Sequence, residues 1–197
     1  MKNLIYLYYY DDYLHILDYI HSFNNSKKFV YNHYDKYELN FYNSSANVFL
    51  YKDIKLIAVS CNRYKDIRFL DILKFSRKVN LLDKSIFNNL FNTKFSQNLC
   101  KLVIDIDILG DDEEIVEFNG YKLSESGLLE DFEINDINSL TKLKSYSIQP
   151  YGYKYLINIK STNKLEFSKK FTESEIEEIL SKLISLISST MSGGEYY

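Results

Sequence analysis

The order of hydrophobic segments predicts an α/β protein with a mostly parallel central sheet flanked by helices and an antiparallel C-terminal portion. Three observations carry this reading. Apolar runs alternate with helical periodicity from "NLIYLYYY" (3–10) to "KLVIDIDIL" (101–109). The run "IKLIAVSC" (54–61) is almost continuously apolar, as in a strand covered on both faces. After Gly110 the texture changes: "EEIVEFNGYKLS" carries an Asn-Gly turn signal, and the segments that follow are strand-like.

Taken in order, the aromatic and branched residues of 3–10 suit a buried strand. "DDYLHILDYIHSF" follows at once, with Asp11 or Asp12 able to cap a helix whose Leu14, Leu17 and His21 share a face. A strand feeding a helix opens a β-α-β unit. "KKFVYNHYD" reads as a second strand ending at Asp35, and 37–51 as either a hairpin or a short helix. The third strand, 54–61, precedes two helices. One, "NRYKDIRFLDILKFSRK", carries Ile67, Leu70, Leu73 and Arg77 at helical spacing, and the other is capped by Asp83 before Ile86, Phe87, Leu90 and Phe91. "KLVIDIDIL" is then the fourth central strand. "YSIQPYGYKYLINIK" and "KLEFSKKF" are further strands. A C-terminal helix over 172–190 is marked by a Thr172/Glu175 capping box and an apolar stripe of Ile176, Ile179, Leu183 and Ile187.

Composition narrows the function classes. The chain has 197 residues, 46% hydrophobic and 26% charged, as expected of one globular domain. The formal net charge of -3 leaves no broad basic surface, so nucleic acid is not an expected partner. No apolar run is long enough to span a bilayer, and the start does not resemble a secretory signal, so a cytoplasmic protein is expected. Cys61 and Cys100 are the two cysteines; with three scattered His they form no zinc spacing, and they read as two thiols or, in the alternative, one bridge. The bias toward Tyr (19 residues), Asn, Lys and Ile, with one Pro, is typical of an AT-rich genome such as that of a virus or plasmid.

The chemistry concentrates in "KLVIDIDILGDDEE" (101–114). Strand alternation would put Asp105 and Asp107 on one face. Two neighbouring carboxylates in a half-buried place are unfavourable without a cation, and hard oxygen ligands suit Mn²⁺ or Mg²⁺ bridging to a phosphate. The acids of 111–114 read as a solvated turn.

With "NLIYLYYYDD", "KKFVYNHYD", "IKLIAVSCNR" and "KLVIDID" in this order, the first half of the chain resembles the GT-A glycosyltransferases. The resemblance implies a nucleotide-sugar-binding half over 1–109 and an acceptor-side half over 110–197. It also implies transfer of a sugar from a nucleotide-sugar donor to a glycan or protein acceptor. By position, Tyr8, Tyr10, Asp11 and Asp35 would hold the nucleoside, Asp105 the ribose or sugar, and Asp107 the metal on the diphosphate. "GLLEDFEI" (127–134) resembles the family's catalytic element and nominates Asp131 as general base, with Glu130 or Glu133 as substitutes.

Two other readings use the same residues. "LVIDIDIL" also resembles the metal motif of archaeo-eukaryotic primases, which would make Asp105, Asp107 and Glu166 a two-metal site for nucleotidyl transfer. A viral or plasmid interaction protein, with a Tyr-rich binding face and no catalysis, is the third.

Overall fold

The computed structural model describes residues 3–23, 26–41, 44–61, 76–107, 113–119 and 141–192. The chain forms two compact units, Met1–Asn80 with Asn163–Lys169 and Leu81–Thr162 with Lys170–Tyr197.

In the first unit, β1 (Asn3–Tyr9) is followed by α1 (Tyr13–His21), β2 (Ser26–Val30), β3 (Asp35–Phe41), β4 (Ser44–Tyr51), β5 (Leu56–Cys61) and β6 (Arg77–Lys78). A late strand, β11 (Lys164–Phe167), returns to the unit. The strands run β2-β3-β4-β5-β1-β11, and β6 joins the side of β1 that carries β11, at Tyr8 and Tyr9. α1 starts where Asp12 accepts from the N–H groups of Leu14 (2.9 Å) and His15 (3.1 Å). Its inward face is Ile16 and Ile20, with Leu17 beside them; Leu14 and His21 are exposed. This face packs on one side of the sheet, against Tyr6, Tyr8, Tyr37, Leu39, Val48, Leu50, Ile57 and Val59.

The second unit holds α2 (Lys84–Asn92), β7 (Ser96–Asp107), β8 (Glu113–Asn119), β9 (Thr141–Pro150), β10 (Ile157–Ser161) and α3 (Glu173–Ser192), with strand order β10-β9-β7-β8. Asp83 caps α2 through the Ser85 N–H at 2.8 Å. α3 begins with the reciprocal box read from the sequence: Thr172 N–H donates to Glu175 Oε2 (2.7 Å) and Glu175 N–H to Thr172 Oγ1 (3.3 Å). Its stripe of Ile176, Ile179, Leu183 and Ile187 is buried. At the centre of the unit, Tyr146 on β9 meets Phe87 of α2 edge-on at 5.0 Å, and its hydroxyl donates to the Leu81 carbonyl at 2.8 Å.

The expected mostly parallel sheet, and with it the GT-A architecture, is overturned: among the described residues every ladder within the two units is antiparallel. The connections explain why. "KKFVYNHYD" is a hairpin rather than one strand, turning where the Tyr31 N–H donates to the Tyr34 carbonyl at 2.9 Å. Residues 37–51 continue it as the β3–β4 hairpin. Residues 52–55 then join β4 to β5, with Lys55 in the left-handed region at φ 50°. A parallel crossover needs about a dozen residues, so these links admit antiparallel pairing alone. The continuous apolarity of β5 does report two buried faces: Ile57 and Val59 lie on the α1 side, Leu56 and Ala58 on the other, none above 1% exposure. Burial on both faces carries no information about strand direction.

Candidate functional site: a buried carboxylate beside an open sheet edge

Asp35 opens β3, where the hairpin turn delivers it to the α1 side of the sheet, next to Tyr37 two residues on. Its side chain is 3% exposed, and Oδ2 sits 3.1 Å from Lys28 Nζ on β2 and 2.9 Å from Lys52 Nζ in the β4–β5 turn. Burial pushes the Asp35 carboxyl up, but the close ammonium groups of Lys52 and Lys28 outweigh it and hold the group below the usual carboxylate value. The lysines respond in kind: the contact with Asp35 raises both.

Aromatic rings frame this clamp. Lys28 lies 5.6 Å from the Tyr37 ring centre and Lys52 lies 5.5 Å from that of Tyr13, within cation–π range. Tyr10, 6.3 Å from Tyr13 between ring centres, donates to the Tyr51 carbonyl at 3.3 Å, and burial first, then Tyr13, pushes its hydroxyl up to about 12. At ordinary pH the phenol is a neutral donor committed to the backbone.

The clamp fixes β2, the outermost strand of the unit. Among the described residues β2 pairs with β3 alone, from Ser26↔Leu39 to Val30↔Asp35. The direction of its free groups follows from the turn. Since the Tyr31 N–H points inward to Tyr34, alternation turns Phe29 inward as well and leaves the N–H and C=O of Lys28 and Val30 on the open side. The same stretch exposes large apolar side chains, Phe29 at 41%, Val30 at 72% and Tyr31 at 44%. Tyr31 stacks on Tyr34 at 4.7 Å, and Tyr34 meets Tyr51 at 5.2 Å, so an aromatic row runs inward from the edge.

The residues nominated from sequence fall in different surroundings. Tyr8 and Tyr10 are buried in the α1-side core, Asp11 is exposed next to the helix cap, and Asp35 is held by two lysines. Asp105 and Asp107 both lie in β7; Asp105 stands opposite Ile115 of β8 and Lys142 of β9, and Asp107 opposite Glu113. Their side chains lie outside the described residues, as does the whole of Asp131 with Glu130 and Glu133. Glu166 is buried on β11 in the first unit, where its Oε1 accepts from Lys164 Nζ at 2.6 Å. Among the described residues no group of three or more His, Cys, Asp or Glu is placed to hold Mn²⁺ or Mg²⁺. Neither Cys61 nor Cys100 is in a disulfide. No helix among the described residues is long and apolar enough to cross a membrane.

Lys28, Lys52 and the β2 edge are what the sequence reading missed. The available signal was "SKKFVYNH", an apolar triplet preceded by two lysines, and lysine is one of the residues by which natural sheets mark an edge strand. Compared with known protein families and with curated proteins, the chain matches none.

Proposed function

We propose that the chain is a binding protein that captures an extended, acidic and apolar segment of a partner polypeptide along the free edge of β2. The observation that carries this is that β2 pairs on one side only among the described residues, with outward backbone groups at Lys28 and Val30 and exposed Phe29, Val30 and Tyr31. Such an edge adds a strand through main-chain hydrogen bonds and takes specificity from alternate side chains. Lys27 and Lys28 fall on opposite faces of β2, so acids at neighbouring positions of an incoming strand meet a cation on either face. The same charges disfavour a second copy of the chain. Full antiparallel overlap of two β2 edges sets Lys28 opposite Lys28. The net charge of -3 gives no support to a nucleic-acid partner.

Sugar transfer through Asp105 and Asp107 rests on the sequence alone. β7 pairs antiparallel with β8 and β9, so the rule that sets a ligand crevice beyond parallel strand ends gives no support to a donor site there.

The test is a displayed random-peptide library selected on the protein and counter-selected on Val30→Pro, which removes one outward N–H and none of the inward ones. Enriched sequences that alternate acidic and apolar residues, and that lose binding to the variant, support the proposal. Enrichment of basic sequences, or binding indifferent to the variant, overturns it.

A further inference from the structure

We infer a second and independent binding site in the second unit, a groove that takes a small aromatic carboxylate. It has a volume of 640 Å³ and lies among the turn after α2, the end of β9 and one side of α3. That volume falls within the range of roughly 300–1,000 Å³ typical of small-molecule sites. Phe95, Pro150, Tyr151, Ile179 and Leu186 supply apolar and aromatic wall, with Tyr151 68% exposed and so accessible to a ligand ring. On the helix side, Ser181, Ser185 and Ser189 recur every fourth residue, which leaves room for a flat ring and offers hydroxyls to a polar substituent.

The charge of the lining selects the ligand's sign. Two lysines, Lys94 and Lys182, are among the lining residues, and no Asp or Glu is. Lys182 is held by Glu178, one helical turn back, at 2.6 Å. Lys94 is paired with no carboxylate among the described residues, so it is the cation available to a bound anion.

Lys94 also carries a backbone signature. It follows the C-terminus of α2 with φ 55°, the left-handed position that glycine fills without steric cost and lysine does not. A side chain kept at a strained position on the wall of a groove is explained when that side chain has work to do there.

The experiment compares 2-naphthoate with its uncharged isostere 2-naphthamide, by titration calorimetry and by the fluorescence of the naphthyl group. Naphthoate should bind about 10-fold more tightly, the increment of one charge-assisted contact. Lys94→Met should abolish that preference, and Ser185→Phe, at an exposed helix position, should block both ligands. Lys94→Gly provides the separate readout, since it should raise the urea midpoint while losing the preference for naphthoate. Equal binding of the two ligands, no binding of either, or a preference that survives Lys94→Met and Lys94→Gly overturns the assignment.

Discussion

Replacing Asp35 by Asn tests the clamp that holds β2 in place. The change keeps the shape of the side chain and removes one negative charge whose Oδ2 lies 2.9 Å from Lys52 and 3.1 Å from Lys28. Both lysine side chains are nearly half exposed, so each pair is worth about 0.5–1 kcal/mol rather than the value of a fully buried pair. Together they give about 1–2 kcal/mol, and the carboxamide adds to the loss by turning donor hydrogens toward one of the ammonium groups. Urea denaturation of the two proteins near neutral pH should show a difference of about 2 kcal/mol. The pH dependence carries the sign. The folded-state pKa of Asp35 lies below its unfolded value, so the stabilisation is present above the unfolded value of about 4 and is lost as pH falls through the folded value. The gap between wild type and Asp35→Asn should therefore be flat above about pH 5 and narrow as pH falls below about 4. Equal stability near neutrality, or a gap unchanged at about pH 3, refutes the clamp.

Three further outcomes follow from the same geometry. Phe29→Pro, which removes an inward N–H from the β2–β3 ladder, should cost about 3 kcal/mol in urea denaturation, and Val30→Pro less than about 1 kcal/mol. Equal costs would place the free groups wrongly. Tyr146→Phe leaves the buried Leu81 carbonyl without its donor and should lower stability by about 1–2 kcal/mol, with folding retained by circular dichroism. If strand capture at β2 is the function, calorimetry with UDP or GDP and Mn²⁺ should give no metal-dependent heat that Asp107→Ala removes. A metal-dependent signal abolished by that substitution would restore a transferase reading of Asp105 and Asp107.

Local chemistry was legible in the sequence wherever a few adjacent residues decide the outcome. Asp12, Asp83 and the Thr172/Glu175 pair announce helix starts because side-chain acceptors must meet the orphan N–H groups of the first turn. The α3 stripe is legible for the same reason, since the seven residues Ile176, Ile179, Leu180, Leu183, Ile184, Leu186 and Ile187 fall on one side of the helix and are buried together. In α1 two stripes compete, Leu14-Leu17-His21 and Tyr13-Ile16-Leu17-Ile20, and the tertiary environment chose the second.

Strand direction was not legible, because it is set by links whose shortness shows only once their ends are known. "YNHY" is a turn within an apolar stretch rather than a gap between stretches, and Lys55 turns left-handed without a glycine to signal it. The candidate site was hidden for a related reason. Asp35 was nominated as a ligand-binding acid at a strand end, and the antiparallel hairpin instead brings it Lys28 from the neighbouring strand and Lys52 from the next turn.

Amide hydrogen exchange across β2 tests the open edge most directly, first on the protein alone and then with a selected peptide. Alone, Phe29 and Tyr31 should be protected by their bonds to β3 and the turn, while Lys28 and Val30 exchange at rates near those of an unstructured chain. On adding the peptide, Lys28 and Val30 should become protected and Phe29 and Tyr31 should change little. Four amides equally protected in the protein alone, or a bound peptide that leaves Lys28 and Val30 exchanging freely, would contradict the account.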